Sequence, residues 1–151
     1  MEHKVTPFLW FNGNVGEAIE FYTSVFKNSK LIYARRQNDK VFTATIEIEG
    51  QKLMLLDGGP HFKLSPAFSL FISCADQHEV DEYWNKLTSN GGQESRCGWL
   101  VDKFGLSWQV IPTALMKYLS DPDPKKAHDV TQAMMKMSKI DIKKLNEAYV
   151  G

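Results

Sequence analysis

The sequence carries no excess of charge of either sign. Its 151 residues contain 18 lysines and arginines against 18 aspartates and glutamates, so the formal net charge is zero. Basic residues are adjacent only in the pairs Arg35-Arg36, Lys125-Lys126 and Lys143-Lys144. Proteins that bind nucleic acid or anionic lipid usually present a dense basic surface. The composition therefore predicts neither a nucleic-acid partner nor a membrane partner.

The sequence also has few cysteines and no long hydrophobic run. Its apolar runs are far shorter than the roughly 20 residues that a membrane-spanning helix needs, and Met1-Glu-His-Lys does not begin a signal peptide. Cys74 and Cys97 fall in predicted strands without metal-type spacing, which indicates packed thiols in a reducing compartment rather than a disulfide. We therefore expect a cytoplasmic protein.

The first part of the chain predicts one helix among four short strands. Asn14 is a typical N-cap for a helix whose apolar residues recur at helical spacing up to about residue 28. Turn residues at Asn38-Asp39 and at Gly50 separate the later strands, as in an antiparallel meander. Gly58-Gly59-Pro60 then begins a loop that runs to Pro66. The predicted strands span residues 5–12, 30–37, 41–49 and 52–57.

The second part of the chain repeats this order. A strand over residues 67–74 precedes a helix that Asp76 caps and Gly91-Gly92 ends. Glu17-Ala-Ile-Glu-Phe-Tyr matches Glu79-Val-Asp-Glu-Tyr-Trp at a separation of 79 − 17 = 62, and the same shift places Pro7-Phe8-Leu9 on Ser69-Leu70-Phe71. We interpret this match as a duplicated βαβββ unit. The alternative is a chance similarity between two amphipathic helices.

A hairpin completes the second part. Residues 99–101 and 106–111 are apolar runs around a polar turn that closes on Gly105, and Pro112 ends the second strand because it has no amide to donate. Gln109 is an uncharged amide within that otherwise apolar strand. A buried amide needs hydrogen-bond partners. Gln109 is therefore either a structural residue bonded to nearby backbone or a polar group that lines a pocket.

The last part of the chain is an addition to the duplicated unit. Pro122 and Pro124 break the chain, and apolar residues at helical spacing then form two stripes that meet near Ser138-Lys139. Short helices are marginally stable alone, so we expect these to dock on the body or on a partner subunit. We predict an α+β fold in one domain over residues 1–151, with halves at 1–60 and 67–112 and a C-terminal helical extension at 113–151.

Several motifs give the chain a resemblance to a known family. The chain resembles the PhnB-like branch of the vicinal oxygen chelate superfamily, which includes glyoxalases, bleomycin-resistance proteins and dihydroxybiphenyl dioxygenases; some members of the branch carry the name 3-demethylubiquinone-9 3-methyltransferase. The resemblance implies paired βαβββ units in a curled mixed sheet around a ligand cavity, commonly completed by a second subunit. The motifs are Pro7-Phe-Leu-Trp-Phe-Asn-Gly-Asn, Glu17-Ala-Ile-Glu-Phe-Tyr, Asp57-Gly-Gly-Pro, Cys97-Gly-Trp-Leu-Val-Asp-Lys-Phe-Gly-Leu-Ser-Trp-Gln-Val-Ile-Pro and Met134-Met-Lys-Met-Ser-Lys-Ile-Asp.

The resemblance also implies four positions at which metal enzymes of the superfamily hold a divalent ion. In this sequence they are occupied by Pro7, Met54, Ser69 and Gln109. Met54 follows from pairing Gly50 with Gly105, and a one-residue slip would give Leu55 instead. None of these side chains is an imidazole or a carboxylate, so we predict neither a metal nor another cofactor. His3, His61, His78 and His128 lie at a terminus, in a loop or on helices; only His61, beside Gly59-Pro60, could reach a ligand if its loop moves.

Two other chemistries have weak support in the sequence. A methyl donor bound in a nucleotide-type fold needs a glycine-rich turn between a strand and a helix. Asp57-Gly58-Gly59-Pro60 follows a predicted strand but leads into a loop. Cys97 has Arg96 beside it, which could activate its thiol, but no histidine lies near it in sequence. A packed cysteine is the alternative that we favour.

Strand alternation predicts how a cavity would be lined. If Pro7, Ser69 and Gln109 face inward, the alternate residues Leu9, Phe11, Phe71 and Ile111 also do. Phe8, Trp10, Leu70, Ile72, Trp108 and Val110 would then face the helices, and Trp99 would sit at the cavity mouth or under the second helix. Such a lining suits a small, flat apolar or aromatic ligand, unless the residues simply fill a core. The predicted ligand-binding residues are Pro7, Leu9, Phe11, Met54, Ser69, Phe71, Trp99 and Gln109.

Three classes of function remain open from the sequence. The first, which we favour, is a metal-free small-molecule-binding protein. The second is an enzyme of the vicinal oxygen chelate type, either a lyase, an isomerase or a dioxygenase, or a protein like the demethylubiquinone methyltransferases after which the family is named. The third is a structural or regulatory dimer whose cavity is filled by its own side chains. A homodimer is expected in each case, because open sheet edges with apolar residues are usually covered.

Overall fold

The computed structural model describes residues 3–151 and divides into two compact units, the first ending at Leu64 and the second beginning at Ser65. Each unit contains one βαβββ motif, and the second also contains the C-terminal helices. None of the helices within residues 3–151 has the length and hydrophobicity that a membrane crossing requires.

The first unit is a four-stranded mixed sheet with one helix. Its strands are ordered β1-β4-β3-β2, with β1 parallel to β4 and the other pairs antiparallel. The first strand is shorter than predicted, whereas the other bounds agree with the prediction to within a few residues. The elements are β1 (Phe8–Phe11), α1 (Val15–Val25), β2 (Ser29–Gln37), β3 (Lys40–Ile48) and β4 (Gln51–Asp57).

The core of the first unit lies between α1 and one face of this sheet. Helix α1 contacts β2, β3 and β4, and its apolar stripe of Ala18, Tyr22 and Val25 is buried, as the helical spacing predicted. Burial alternates along the strands, so that one face is covered and the other is open. The buried sheet residues are Leu9, Phe11, Ala44, Ile46, Ile48, Leu53 and Leu55.

The second unit repeats the same topology. Its strands are ordered β5-β8-β7-β6, with β5 parallel to β8, and Asp76 caps α2 by accepting a hydrogen bond from the Glu79 amide at 2.9 Å. The duplicated βαβββ unit is therefore confirmed. The elements are β5 (Ser69–Cys74), α2 (Gln77–Leu87), β6 (Gln93–Glu94), β7 (Trp99–Val101) and β8 (Ser107–Pro112).

The two repeats differ by one residue in the connection between the first strand and the helix. The helix caps Asn14 and Asp76 keep the predicted separation of 76 − 14 = 62. The turn glycines Gly50 and Gly105 both have positive φ, and matching them places Met54 on Gln109. Phe8 pairs with Met54 and Phe71 with Gln109, so on this match the first strands are separated by 71 − 8 = 63. The extra residue lies in the turn after β1, where Gly13 has φ +76°. The predicted alignment of residues 7–9 with residues 69–71 is therefore wrong by one position.

The turn between β7 and β8 is built on the side chain of Asp102. This carboxylate is buried and accepts hydrogen bonds from the Phe104 amide at 2.8 Å, the Leu106 amide at 3.1 Å and the Trp108 indole at 2.9 Å. The Asp102 carbonyl also accepts from the amide of Gly105, whose φ is +90°. A buried carboxylate is tolerated when its oxygens are paired in this way. Asp102 therefore fixes how β7 is paired with β8.

Three helices follow β8, where the sequence predicted two. Helix α3 begins directly after Pro112, and the two predicted stripes form α4 and α5, with Asp141 capping α5 through the Lys144 amide. A buried cluster joins the three helices to the end of β8, which confirms docking on the body. The helices are α3 (Thr113–Leu119), α4 (Pro124–Met134) and α5 (Ile142–Val150), and the cluster comprises Ile111, Leu115, Val130, Ile140 and Leu145.

We predict that Asp102→Asn destabilises the protein by on the order of 2–4 kcal/mol. The asparagine side chain has one acceptor oxygen, whereas the three donors at this turn bond the two oxygens of the carboxylate. In the Trp108→Phe background the same substitution should cost less, since the indole donor is gone. Urea unfolding of the two single variants and the double variant measures this difference as a coupling energy. An equal cost of Asp102→Asn in both backgrounds would show that the Asp102–Trp108 hydrogen bond does not stabilise the turn.

Candidate functional site

The open face of the second sheet carries a mixture of polar and aromatic side chains. The opposite face is covered by α2, and Leu100, Trp108 and Val110 are buried there. On the open face, Phe71 is 51% exposed although it lies in the middle of a strand. The prediction that Trp108 and Val110 face a helix is confirmed. The open-face residues that matter below are Ser69, Phe71, Trp99, Ser107 and Gln109, which the strand pairing places side by side.

Gln109 is at the centre of this face and is only partly buried. Its Nε2 donates a hydrogen bond to Ser69 Oγ at 3.0 Å, so its side-chain partner is a neighbouring strand residue rather than nearby backbone. No other residue among 3–151 hydrogen-bonds the side chain of Gln109, so its Oε1 remains free to accept. The Ser69 hydroxyl, which accepts from Gln109, keeps its own proton to donate. The pair therefore presents one acceptor and one donor.

Ser107 is a third polar group on this face, and the sequence did not reveal it. It is paired with Ser69 and lies two residues before Gln109 on the same strand. Ser107 is 1% exposed, and its Oγ has no hydrogen-bond partner among the described residues. A buried hydroxyl without a partner is uncommon and costs free energy. The two-residue spacing from Gln109 was the available signal, but it could not show that the hydroxyl lacks a partner.

Aromatic side chains flank this polar group. Phe71 and Trp99 are the register partners of Gln109 on either side, so Trp99 lies on the open face and not under α2. Ile111 was also predicted to line the cavity. It is instead buried in the cluster of the C-terminal helices. The structure thus brings together four of the predicted residues, namely Ser69, Phe71, Trp99 and Gln109.

The first sheet presents a different open face, and here the predicted facing was wrong. Phe8 is 53% exposed, whereas Leu9 is 2% exposed and packs with Phe11 on the face that α1 covers. The one-residue difference between the repeats inverts the alternation of β1, so Leu9 and Phe11 do not lie on the open face. Met54 does, because it pairs with Phe8 and is exposed. Pro7 lies just before β1, and its carbonyl accepts a hydrogen bond from the Met54 amide at 2.9 Å.

A loop is held against the open face of the first sheet by Trp10. The indole donates a hydrogen bond to the Gly59 carbonyl at 2.9 Å, and the Phe62 ring meets it edge-on at 5.1 Å between centroids. A Cβ on Gly58 would lie 2.3 Å from the indole, so only glycine allows this approach. Asp57 also accepts a hydrogen bond from the Gly13 amide, which fixes the turn before α1. No helix follows β4, as the sequence predicted: residues 58–68 are loop.

The side chains on these faces do not suit a hard divalent ion. Within residues 3–151, no group of three or more histidine, cysteine, aspartate or glutamate side chains is placed to hold a metal. At the position paired with Phe71 the second sheet has the amide of Gln109, and at the position paired with Phe8 the first sheet has the thioether of Met54. Zinc, manganese and magnesium prefer imidazole, thiolate or carboxylate ligands. The side chains at these paired positions are therefore not ones that a hard divalent ion prefers.

The Cys74 thiol is not placed as a catalytic nucleophile. Burial, together with the nearby carboxylates of Glu79 and Asp76, raises the pKa of the Cys74 thiol to about 12, so it stays protonated and unreactive at neutral pH. Cys97 was predicted to lie in a strand, but it lies in the turn before β7 with φ +59°. Both thiols are free. His61 is exposed in the loop that Trp10 holds.

We predict that Gly58→Ala displaces the loop from Trp10, because the added methyl group would overlap the indole. The free energy of unfolding should fall by about 1–3 kcal/mol, and the Trp10 indole proton should exchange faster in NMR spectra as its bond to Gly59 weakens. Gly16→Ala is the matched control, since a Cβ at Gly16 in α1 meets nothing within 4 Å. Equal indole exchange and equal stability in the two variants would contradict the packing described here.

Comparison with known proteins agrees with this fold. The model of the 3-demethylubiquinone-9 3-methyltransferase family matches residues 3–111. A PhnB protein from Bacillus cereus, described as a 3-demethylubiquinone-9 3-methyltransferase, is 32% identical over 73% of this chain and 99% of its own, with a TM-score of 0.68. No protein of curated function matches the sequence at a significant level.

More distant structures share the fold alone. A protein from Pseudomonas aeruginosa is 22% identical over 74% of this chain and 98% of its own, with a TM-score of 0.63. The fosfomycin resistance protein FosX from Listeria monocytogenes is 15% identical over 72% of this chain and 90% of its own, with a TM-score of 0.52. The family match and the Bacillus cereus relative show that the chain belongs to the 3-demethylubiquinone-9 3-methyltransferase family, the PhnB-like branch of the vicinal oxygen chelate superfamily.

Proposed function

We propose that the protein binds a small, flat, uncharged molecule on the open face of its second sheet, and that it does so without a divalent metal. The observation that carries this proposal is the free hydrogen-bonding capacity of the Gln109–Ser69 pair, with Gln109 lying between its register partners Phe71 and Trp99. A few convergent polar groups in an apolar and aromatic surround are typical of small-molecule sites.

The chemistry of the Gln109–Ser69 pair indicates which groups the ligand carries. Gln109 Oε1 can accept a hydrogen bond, and the Ser69 hydroxyl can donate one. A ring with one hydroxyl substituent satisfies both groups, because the hydroxyl can donate to Gln109 Oε1 and accept from Ser69. The apolar faces of the ring can stack on aromatic side chains. A charged ligand is disfavoured, because the polar side chains on this part of the face are neutral and do not compensate the desolvation of a charge.

The name of the family is consistent with a ring-shaped ligand but does not by itself support methyl transfer here. Demethylubiquinone, which the family description names, contains a flat ring of weak polarity. The glycine-rich stretch after β4 holds Trp10 and the turn before α1, so we do not assign it to a methyl donor. We therefore propose binding as the function and leave the chemistry of any bound molecule unassigned.

We further propose that the protein is a homodimer joined through β2, and that it acts in the cytoplasm. Strand β2 is an edge strand that is exposed along nearly its whole length. Leu31, Ile32 and Tyr33 are consecutive exposed apolar residues on it, and such an edge is usually covered. A second copy of the chain supplies the same edge by symmetry. The free thiols of Cys74 and Cys97 favour a reducing compartment.

The ligand site can be tested with 2-naphthol, a neutral flat probe with one hydroxyl. We predict that Gln109→Glu raises the Kd for 2-naphthol about tenfold or more, because a charge at this position must be desolvated when the ring binds. The melting temperature should change little, since Gln109 is partly exposed and water reaches it. Gln93→Glu is the matched control, because Gln93 is an exposed glutamine in β6 of the same sheet.

A different result would be expected if Gln109 lay in a sealed core. A glutamate in a sealed core would have a raised pKa, so its cost would be largest at neutral pH and would disappear as the pH falls through that pKa. A melt of Gln109→Glu that is strongly lowered at neutral pH and recovers on acidification would reject the ligand role and make Gln109 a core residue.

The dimer predicts that Ile32→Lys lowers the association constant at least about tenfold, because a charge is introduced into the apolar edge of β2. Sedimentation velocity at micromolar concentration should give a dimer for the wild type and a monomer for this variant. Val5→Lys is the control, since Val5 is an exposed apolar residue of the same unit outside β2. A wild-type monomer at micromolar concentration would refute the proposed dimer.

A further inference from the structure

A short segment of the C-terminal extension is hydrogen-bonded to the turn before β7. Residues 137–142, which comprise the end of the connection between α4 and α5 and the first residue of α5, are called the strap here; they lie outside the part of the chain that the family model matches. The Met137 carbonyl accepts a hydrogen bond from the Cys97 amide at 2.9 Å, and the Ser138 carbonyl accepts one from the Gly98 amide at 2.8 Å. The strap therefore satisfies two consecutive amides of the turn before β7.

This turn has a backbone conformation that needs support. Cys97 and Gly98 have φ values of +59° and +84°, and a side chain at the first of these is unfavourable in the left-handed region. A Cβ on Gly98 would lie 2.6 Å from Ile111 Cδ1 and 3.1 Å from Ile140 Cγ1. The Gly98 backbone is therefore packed between the strap and β8.

The turn is connected directly to the ligand site. The Gly98 carbonyl accepts a hydrogen bond from the Val110 amide at 2.8 Å, next to Gln109 on β8. Trp99 follows Gly98 and is the register partner of Gln109. A displacement of Gly98 would therefore move Trp99 relative to Gln109, which are the aromatic and polar parts of the proposed site.

Gln77, at the start of α2, holds the strap in place. Its Nε2 donates to the Ile140 carbonyl at 3.0 Å, and its Oε1 accepts from the Ile142 amide at 2.8 Å. The Gln77 side chain thus pairs with the carbonyl of the residue before Asp141 and with the amide of the residue after it, as a neighbouring strand would. Lys139 adds an ion pair with Asp81 of α2 at 2.9 Å.

We infer that the strap positions the ligand site, with Gln77 and Gly98 as positioning residues that act through the turn before β7 on Trp99 and Gln109. The extension is then a functional part of the site and not only an added layer of core. The expected effect on ligand affinity rests on the proposed binding function, whereas the hydrogen bonds between the strap and the turn are tested independently of it.

The test compares Gln77→Leu with Tyr118→Phe in the full-length protein. Gln77→Leu removes both hydrogen bonds to the strap at similar side-chain volume. Tyr118→Phe removes an exposed hydrogen bond to Asn146 within the same extension and leaves the strap intact. Lys139→Ala is a milder second variant, in case Gln77→Leu does not fold. Amide exchange at Cys97 and Gly98, the chemical shifts of Trp99 and Gln109, and the Kd for 2-naphthol are measured well below the melting temperature.

We expect Gln77→Leu to speed exchange of the Cys97 and Gly98 amides about tenfold or more, to shift the Trp99 and Gln109 side-chain signals, and to raise the Kd about threefold or more. Tyr118→Phe should change none of these.

Unchanged amide exchange in both Gln77→Leu and Lys139→Ala would show that the strap does not hold the turn before β7. Faster exchange with unchanged signals and an unchanged Kd would overturn its role in positioning. If the wild type does not bind 2-naphthol, the proposed function fails, and the exchange rates and shifts still decide whether the strap holds Trp99 against Gln109.

Discussion

The carboxylate of Asp102 is the interaction on which the proposed site depends. It is buried at the turn between β7 and β8 and accepts hydrogen bonds from two backbone amides and from the Trp108 indole. Because successive strand residues point to opposite faces, a slip of one residue in this hairpin would turn Gln109 toward α2 and Trp108 toward the open face. Asp102 fixes Trp108 on the covered face, and Gln109 must then lie on the open one.

The two repeats use the same topology for different surfaces. At paired positions the first sheet has Phe8 and Met54, and the second has Phe71 and Gln109. The first open face places Phe8 and Met54 beside the polar residue Thr45 and carries a loop anchored on Trp10. The second combines the aromatic rings of Phe71 and Trp99 with the hydrogen-bonded pair of Gln109 and Ser69. Duplication followed by divergence of the exposed residues explains how one fold provides both a packing surface and a chemically specific one.

Much of the fold could be predicted from the sequence, because it depends on local signals. Asp76 as a helix cap, the glycine turns and the helical stripes each act within a few residues, and they located the helices and most strands. The facing of β8 was also predictable, since a single amide in an apolar strand marks one face. The facing of β1 was not, because one additional residue in the turn at Gly13 inverts the alternation without changing the match between the helices.

Other features depended on contacts between distant residues, which sequence patterns do not contain. Ser107 looks like any small strand residue until its burial and its missing partner are known. The left-handed conformation of Cys97 is made possible by carbonyls about forty residues away in the strap, so its placement in a strand was a reasonable but wrong prediction. The role of Gly58 likewise follows from the approach of Trp10 and not from its neighbours in sequence.

The central claim is that this member of the family binds a flat neutral molecule at Gln109 without a divalent metal. Native mass spectrometry of protein purified without chelator, then mixed with 2-naphthol in the presence and absence of zinc, nickel and manganese, tests it most directly. The account predicts a 2-naphthol adduct on each chain in both cases, with no stoichiometric metal adduct. One metal ion per chain, with 2-naphthol bound only when that metal is present, would contradict it.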